Sequence, residues 1–541
     1  MTSVRGRLGR IAADPGFFVF VTLFLAHAYF HQGGGWNQNA RFDQVRSIAE
    51  AGEMAIDRFA IYRLDSGAGS APDRLRRVPF GPGGTLPFAG AEPNSYDLAF
   101  HGGSVYPNKP PGTTLLAVPA YWALFQVERA WGGDPDRASV LTRNVYLTTL
   151  FSVGLAGALG GWILYRVTRR LLPELRPASA AAAALAGGLG TIVWPFSTML
   201  FDHVPAGVAI LAAFGLALAA ADAERTTPGT GPRNRATIVG AGVVAGFGVT
   251  VSYTVGMALV AIGLYLLRAR PRASTAVLYG GGAAVPLGLL ALYQWRAFGS
   301  PLAIPNQFQV ALFGGGGGRL EGVFSLPDPR LAWQLLGAPA RGLFVASPIL
   351  LAAIAGLWLL WRRPERRREA VVIGAVFAGY FVLNLSFLNW HGGFSFGPRY
   401  LLPAVPLLCL PLASAFDRLP RTTTALAVLS VAVCLLATAV TPQIPPGVTR
   451  PVAGFLLPIA GGHTARVGAF AFDEPVGANP QGVYEALPYR FFPRGSAEAR
   501  GNSFNLGERL GLTGLPSLLP LLLLLAAGAT AALRTARRAG R

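Results

Sequence analysis

The chain has 541 residues, of which 52% are hydrophobic and only 13% are charged, and its formal net charge is +20. A soluble chain usually carries about 25% charged residues, so the composition excludes an ordinary globular protein and indicates a multi-pass membrane protein. The arginines cluster in short loops between apolar runs, which is the positive-inside pattern. We therefore expect no nucleic-acid partner.

Apolar runs recur along the whole sequence. They predict an all-α integral membrane protein with about twelve transmembrane helices, with amphipathic helices of the first loop on the outer face. The arginine-rich loops should all be cytoplasmic, which requires an even number of crossings between consecutive loops and places both termini in the cytoplasm. The candidate spans are 16–31, 141–166, 178–196, 203–221, 237–251, 253–268, 274–296, 342–361, 369–389, 399–415, 423–441 and 515–533.

This topology divides the chain into three parts. Residues 1–441 form a transmembrane bundle with a large outer loop over 32–140. Residues 442–514 form a small outer region, which is polar and rich in Gly and Pro. Residues 515–541 contain the last transmembrane helix and a basic cytoplasmic tail. Any chemistry is expected on the outer face, because all the histidines and the only lysine lie in or near the outer half.

The first outer loop opens with a pattern typical of a short amphipathic helix over Asn39–Gly52. Asn39 is expected to cap this helix and Gly52 to end it. Asp43 lies in its first turn, where the helix dipole favours a carboxylate. Two interpretations of Asp43 stay open: a solvated surface charge, or the acid of an outer-face site.

Lys109 is the only lysine among 46 lysine and arginine residues. It lies within Tyr106–Gly112, just ahead of Leu115–Phe125, an apolar run too short to span that should lie along the outer surface. Lysine is a compact charge on a flexible stem, which suits a movable contact with a phosphate oxygen. Chance retention of one lysine is the alternative.

Further polar groups lie at the outer ends of predicted spans. An ionisable side chain is costly to keep there and is a functional candidate, although capping of helix ends is an equal explanation for the histidines. These residues are Asp202, His203, Arg341, His391, Arg399 and Tyr400.

The order of these features resembles the GT-C superfamily of membrane glycosyltransferases. The likeness is greatest to the family 39/83-like group, which includes protein mannosyltransferases and the lipid A aminoarabinose transferase. Asn108–Gly112 is similar to that group's Glu-Lys-Pro-Pro-Leu or His-Pro-Pro-Leu element. Ser395–Pro403 is similar to its Pro-Arg-Tyr-Leu-hydrophobic-Pro stretch, and the likeness covers most of residues 15–440.

The resemblance implies an inverting glycosyltransferase at the outer face of a bacterial inner membrane, with 1–441 as its catalytic bundle. Such an enzyme moves a sugar from a polyprenyl-phosphate donor to a hydroxyl of a glycan, lipid or protein acceptor, among membrane lipids. The resemblance makes Asp43 the catalytic base, and Lys109, Arg399 and Arg341 the groups that bind the donor phosphate. The residues expected to contact substrate are Asn37, Tyr106, Asn108, Asp202, His203, His391 and Tyr400.

Two departures from the family pattern bear on the chemistry. The usual Asp-Glu pair of the first loop falls on Asn37 and Gln38, which are amides and cannot take a proton. Asn108 stands where some relatives place a metal-binding Glu, so a divalent metal stays open and no other cofactor is expected. The alternative functions are a non-catalytic lipid-binding membrane protein and a flippase or transporter for polyprenyl-linked sugars, which would need internal repeats and polar groups at the membrane midplane.

Overall fold

The structure of the chain is a computed structural model. Most of the outer region between 461 and 503 lies outside the described residues, so a role for that region at the site stays a prediction. The structure describes residues 14–67, 69–71, 73–226, 231–309, 323–461, 465–466, 483–484, 503–512 and 514–540.

The described chain is a bundle of apolar helices, which confirms the predicted all-α membrane class. Helices satisfy their own backbone hydrogen bonds, as a lipid environment requires. Seven helices are long and apolar enough to cross a membrane, or eight if the bent pair Arg399–Leu408 and Leu412–Arg418 is one span. Four shorter apolar helices occupy the remaining predicted spans, so the positions of the spans agree with the sequence, while the number that cross stays a prediction.

The first half of the bundle surrounds a helix whose centre is apolar on every side. Its helices are α1 (Pro15–Ala28), α2 (Trp36–Arg46), α3 (Gly112–Ala130), α4 (Ala138–Thr149), α5 (Leu155–Leu171), α6 (Pro177–Leu189), α7 (Val193–Ser197), α8 (His203–Thr226), α9 (Pro232–Val251), α10 (Val255–Ala269) and α11 (Ala273–Phe298). The central helix is α8, which packs against α5, α9 and α10. Helix α9 ends and α10 begins around 252–254, at the boundary between the predicted spans 237–251 and 253–268.

The second half closes the bundle, and its last helix returns to pack against α1. Its helices are α12 (Leu331–Leu336), α13 (Leu343–Ala346), α14 (Ile349–Trp361), α15 (Arg367–Leu385), α16 (Val405–Leu408), α17 (Leu412–Arg418), α18 (Pro420–Val440), α19 (Leu457–Ala460), α20 (Leu506–Arg509) and α21 (Leu519–Ala539).

Short antiparallel strands occur only between helices in the described chain. Strand β1 pairs with β8, and so joins the end of the first helix to the segment before the last. Strands β2 and β3 pair within the first outer loop, as do β4 and β5. The strands are β1 (Phe30–His31), β2 (Tyr62–Leu64), β3 (Leu75–Arg77), β4 (Leu98–His101), β5 (Ser104–Pro107), β6 (Ala465–Arg466), β7 (Val483–Tyr484) and β8 (Phe504–Asn505).

Helix α2 differs from the surface helix that the sequence predicts. It begins after Gly35 rather than at Asn39, and its last residues continue as a π-helical turn, Ser47–Ala51, that ends at Gly52 with a φ of 70°. Its polar side chains, including Arg41 and Arg46, are buried. Of the two interpretations left open for Asp43, the solvated surface charge is wrong, because the Asp43 side chain is buried where the rest of the outer loop folds over this helix.

A buried network of charges fixes the orientation of α2. The Arg46 guanidinium donates to Glu50 and to Asp136, each at 2.7 Å. Arg77 from β3 donates to Glu50 at 3.1 Å, and the Tyr121 hydroxyl from α3 donates to the same carboxylate at 2.6 Å. Each buried charge in this network is paired, which is the condition under which such groups are tolerated. The network therefore determines which side chains of α2 face the bundle.

Candidate functional site

A β-hairpin places Lys109 beside an acid that the sequence analysis did not single out. The strands β4 and β5 turn through Gly102 and Gly103, whose φ angles are 59° and 85°, values that glycine adopts without strain. The register pairs Leu98 with Pro107, so Asp97 and Lys109 extend from the open end of the same hairpin. The Lys109 ammonium lies 3.4 Å from an Asp97 carboxylate oxygen, and both side chains are partly exposed.

Arg41, a second residue that the sequence analysis did not single out, connects this hairpin to the bundle. Its side chain is fully buried and donates to Asp202 at 2.9 Å, to the Asn37 side chain at 3.0 Å and to the Pro110 carbonyl at 3.4 Å. Burial lowers the pKa of the Arg41 guanidinium, while the charges of Asp202 and Asp97 act to raise it. Arg41 therefore joins α2, the turn that follows Lys109, and the loop before α8.

Asp202 ends the loop before α8 and holds Arg41 in place. Burial acts to raise the pKa of the Asp202 carboxyl, but His203 and Arg41 outweigh it, so the pKa lies below its ordinary value. The His203 Nδ1 atom lies 3.3 Å from the same carboxylate oxygen, without hydrogen-bond geometry. Asp202 is thus ionised and engaged by a cation, which suits it to positioning rather than to accepting a proton.

Arg399 adds a third cation to the cluster formed by Arg41, Lys109, Asp97 and Asp202. Its guanidinium lies 5.2 Å from the ring centroids of both Phe201 and Tyr400, and the Tyr400 ring stacks on Phe387 at 4.6 Å. Phe201 precedes Asp202, the partner of Arg41, so Arg399 and Arg41 contact adjacent residues of one loop. The Arg399 charge also acts to lower the pKa of Arg41. Among the described residues, the buried Nε of Arg399 has no hydrogen-bond partner. The Arg399 side chain is half-buried and a terminal nitrogen donates to the Tyr400 hydroxyl at 3.5 Å, which leaves further N–H donors of the guanidinium without a hydrogen bond.

The structure directs Asp43 away from this cluster. Residues two apart on a helix point in nearly opposite directions, and Asp43 accepts a hydrogen bond from Asn94 at 3.1 Å. Burial raises the pKa of Asp43 well above its ordinary value, although the Asn94 hydrogen bond and the Arg46 charge act to lower it. The hairpin pairs the Lys109 ammonium with Asp97, and a role for Asp43 at the site stays a prediction.

Arg341 and His391 build the turn that precedes Arg399. The Arg341 guanidinium is fully buried and donates to the carbonyls of His391 at 3.2 Å, Gly393 at 3.0 Å and Ile444 at 3.3 Å. The His391 Nδ1 atom accepts from the Gly393 backbone at 3.0 Å. We therefore correct the expectation that Arg341 binds the donor phosphate, because its donors face backbone carbonyls inside the protein.

Two other expected substrate contacts face the end of α11 and the segment that follows it. The Tyr106 ring lies 5.2 Å from that of Phe298. The Asn108 side chain is buried and donates to Gln309 at 3.3 Å. Contact of Tyr106 and Asn108 with substrate stays a prediction.

The residues near the cluster do not fit a divalent metal. Among the residues that the structure describes, no group of three or more His, Cys, Asp and Glu side chains could hold an ion. The Asp202 carboxylate is engaged by Arg41, and the His391 Nδ1 accepts a backbone hydrogen bond. We therefore assign no step to a metal.

A signal for Asp97 was present in the sequence. The dipeptide Gly102-Gly103 between two alternating runs is a hairpin turn signal, and a hairpin about that turn places residue 97 opposite residue 108. Arg41 had no comparable signal, because helix periodicity shows which residues share a face but not which face the bundle covers.

No family model matches the chain, and no curated protein sequence matches it. Similar solved structures include ArnT from Cupriavidus metallidurans in the apo state, with 15% identity and a TM-score of 0.47 over 96% of this chain and 74% of that chain. The same protein bound to undecaprenyl phosphate gives 15% and 0.47 over 99% and 77%. The apo oligosaccharyltransferase of Archaeoglobus fulgidus gives 13% and 0.42 over 79% and 55%.

These similarities are to solved structures that are 13–15% identical to this chain. At TM-scores below 0.5 they carry no argument about what this chain does. We base the function on the side chains described above.

Proposed function

We propose that this chain transfers a sugar from a polyprenyl-phosphate donor to an acceptor hydroxyl at the outer face of a bacterial inner membrane. The observation that carries the proposal is the gathering of Arg41, Lys109 and Arg399 at one end of an apolar helical bundle. Two acids, Asp97 and Asp202, accompany these three cations. Such a cluster suits a phosphate that is anchored to a lipid.

The cations would bind the phosphate that leaves with the lipid. Arg399 has an N–H donor without a hydrogen bond, and its guanidinium lies 5.2 Å from the centroids of two aromatic rings. Contacts of this kind hold a planar guanidinium in a fixed orientation. Lys109 is partly exposed on a flexible stem. Positive groups aimed at the leaving phosphate stabilise the charge that develops on it in the transition state. Arg41 adds positive charge near the phosphate and holds the loops that contain Asp202 and Pro110.

Asp97 is the proposed base, because it is partly exposed and its partner is a flexible ammonium that can move away, whereas Asp202 is held by a buried guanidinium. Asp43 is the alternative that the family resemblance implies. In the proposed step, the acceptor oxygen attacks the anomeric carbon of the sugar and the bond from that carbon to the phosphate oxygen breaks. The acceptor proton passes to the Asp97 carboxylate, and the polyprenyl phosphate leaves with the bonding electrons. The acceptor oxygen attacks the anomeric carbon from the face opposite to the leaving phosphate, so the configuration at that carbon inverts. The acceptor is a glycan, a lipid or a protein.

Release of polyprenyl phosphate is the readout that does not require the acceptor to be known. The full chain in detergent would be incubated with a panel of synthetic polyprenyl-phosphate sugars and a bacterial envelope extract as the acceptor source. We expect release from at least one donor. Asp97→Asn should reduce release by roughly 100-fold or more, the size typical of losing a general base, without weakening the binding of undecaprenyl phosphate. Asp43→Asn should retain most of the release.

The outcomes separate the candidate functions. Loss of release in Asp43→Asn but not in Asp97→Asn would move the base to Asp43. Binding of undecaprenyl phosphate by the wild-type chain with no release from any donor would assign the chain to non-catalytic lipid binding. Transport of labelled polyprenyl-phosphate sugar across proteoliposome membranes, unaffected by either substitution, would assign it to a flippase.

A further inference from the structure

A cavity lined by arginines lies at the opposite end of the bundle from the proposed active site. It has a volume of about 890 Å³ and is formed where α5 and α8 end and the turn before α15 begins. Five arginines and two acids line it, which leaves a formal charge of +3. Basic loops at this end are cytoplasmic by the positive-inside rule. The proposed transfer reaction makes no use of this cavity.

Three guanidiniums in the cavity converge on a single carboxylate. Asp222 lies 3.7 Å from Arg170, 3.3 Å from Arg225 and 3.0 Å from Arg366. Arg225 also donates to the buried Glu369 at 2.9 Å. A guanidinium has more N–H donors than its share of one carboxylate can accept, so the group retains donors for a further anion. The volume is sufficient for a phosphate and its substituents.

The arginines exceed what the surrounding protein needs. The helices that end here contribute partial negative charge, and cations near such ends are stabilising. This accounts for one or two arginines. Arg166 and Arg170 add guanidiniums on one face of α5 that are only loosely paired, Arg166 with Asp14 at 4.0 Å and Arg170 with Asp222 at 3.7 Å, and their side chains are 59% and 48% exposed. Residues four apart on a helix are neighbours, so these two charges face the cavity together.

Exposed tryptophans place the cavity at the level of lipid headgroups. Trp358 and Trp361, at the end of α14, are about half exposed, and tryptophan is enriched at the membrane–water interface. Arg362 lies 4.1 Å over the Trp358 ring, and Arg367 lies 5.4 Å over the Trp361 ring. The turn between these pairs carries Arg366, a lining residue. The cavity therefore opens beside the inner leaflet.

We propose that this cavity binds the phosphate of an anionic lipid headgroup in the inner leaflet. Basic pockets between helices on the cytoplasmic side are suited to phosphorylated headgroups. A soluble phosphate has the same charge chemistry, but the position of the tryptophans favours the lipid. This proposal does not depend on the transfer reaction at the other end of the bundle.

The test measures saturable binding to the full chain in a neutral detergent. The probes are water-soluble dioctanoyl phosphatidylglycerol, the zwitterionic dioctanoyl phosphatidylcholine, and inorganic pyrophosphate. We expect the wild-type chain to prefer phosphatidylglycerol. Arg166→Gln and Arg170→Gln should each weaken that binding about fivefold, since a basic residue near an anionic lipid contributes on the order of 1 kcal/mol. Arg233→Gln removes the same charge from an exposed site outside the cavity lining and should change binding less than twofold.

A substitution that strengthens binding excludes misfolding as the cause of the effect. Asp222→Asn removes the carboxylate that the three arginines share, so we expect tighter binding of phosphatidylglycerol. The lipid proposal is overturned if pyrophosphate binds and phosphatidylglycerol does not, or if both lipids bind equally. It is also overturned if Arg233→Gln weakens binding as much as Arg170→Gln does.

Discussion

Lys109 and Arg399 are cations of different kinds, and the proposed transfer depends on the difference. Arg399 is held between rings, whereas Lys109 lies 3.4 Å from Asp97 at the end of a hairpin. An ammonium on a flexible stem can leave that acid to contact a phosphate, while a guanidinium would bind the carboxylate through two parallel hydrogen bonds. The identity of this residue, and not only its charge, should therefore matter.

Lys109→Arg tests this point while keeping the charge. We expect release of polyprenyl phosphate to fall by at least about tenfold. A guanidinium at position 109 would hold the Asp97 carboxylate through two hydrogen bonds, and a small displacement of the cation from the phosphate is costly to the rate. The measurement is the initial rate of release. Arg58→Lys, an exchange at an exposed outer-loop arginine, is the control and should leave the rate unchanged. A Lys109→Arg variant with the wild-type rate would contradict a movable role for the ammonium.

Asp43 should make the stability of the fold depend on pH. Burial raises its pKa well above the ordinary value of 3.8, so the folded state holds this proton more tightly than the unfolded state. The free energy of unfolding contributed by this group therefore falls as pH rises from about 4 through the raised pKa. Asp43→Asn removes the penalty, and we expect a higher thermal midpoint in detergent at pH 7 and little change at pH 4.

Asp73 provides a control of opposite sign. Hydrogen bonds from Ser139 and Arg137 lower the pKa of this exposed carboxyl, so its contribution to stability is present above pH 4 and is lost as pH falls. Asp73→Asn should therefore lower the thermal midpoint slightly at pH 7. A lower midpoint for Asp43→Asn at pH 7 would show instead that the charged form of Asp43 is needed for folding.

At the scale of elements, the first outer loop shows where sequence reasoning ends. The spans follow from apolar length, and Leu115–Phe125 was expected outside the membrane; the helix that contains it, α3, is not among the apolar helices of spanning length. The burial of α2 depends on a later segment folding over it, which no local pattern encodes. Because this folding could not be predicted, the sequence analysis named Asp43 as the candidate acid. The structure instead directs Arg41, on the opposite face of the helix, towards Asp202.

The start of α3 positions the Lys109 turn against the bundle. A Cβ at Gly112 would lie 2.5 Å from backbone atoms of Thr250 at the end of α9. Gly112→Ala should therefore separate the two helices, with a loss of about 1–3 kcal/mol typical of overpacking, seen as a lower thermal midpoint and slower release. Gly256→Ala is the matched control, because a Cβ there meets nothing within 4 Å. Equal effects of the two substitutions would contradict this role for Gly112.

At the scale of the whole molecule, loop charge predicts that the first outer loop and the arginine-rich loops lie on opposite sides of the membrane. Ser66→Cys and Thr422→Cys test this, because both positions are exposed while Cys409 and Cys434 are buried. In intact spheroplasts, a membrane-impermeant maleimide should label the cysteine at 66 and leave that at 422 unlabelled until permeabilisation. Labelling in the reverse order would place the proposed active site in the cytoplasm.

The arrangement of the whole molecule follows from composition, whereas the chemistry depends on contacts between distant segments. The clustering of arginines and the length of the apolar runs predict a bundle with a polar outer loop, and both can be observed in a single sequence. The cluster of Arg41, Asp97 and Lys109 is assembled from a helix and a hairpin more than fifty residues apart. For that reason we propose Asp97 rather than Asp43 as the base.

The most direct measurement is a structure of the full chain with undecaprenyl phosphate. We expect the phosphate within hydrogen-bond distance of the Lys109 ammonium and the Arg399 guanidinium, with the Asp97 carboxylate beside it and the prenyl chain along the bundle. A phosphate bound elsewhere, with Lys109 still paired to Asp97 and Arg399 unoccupied, would contradict the proposed transferase site.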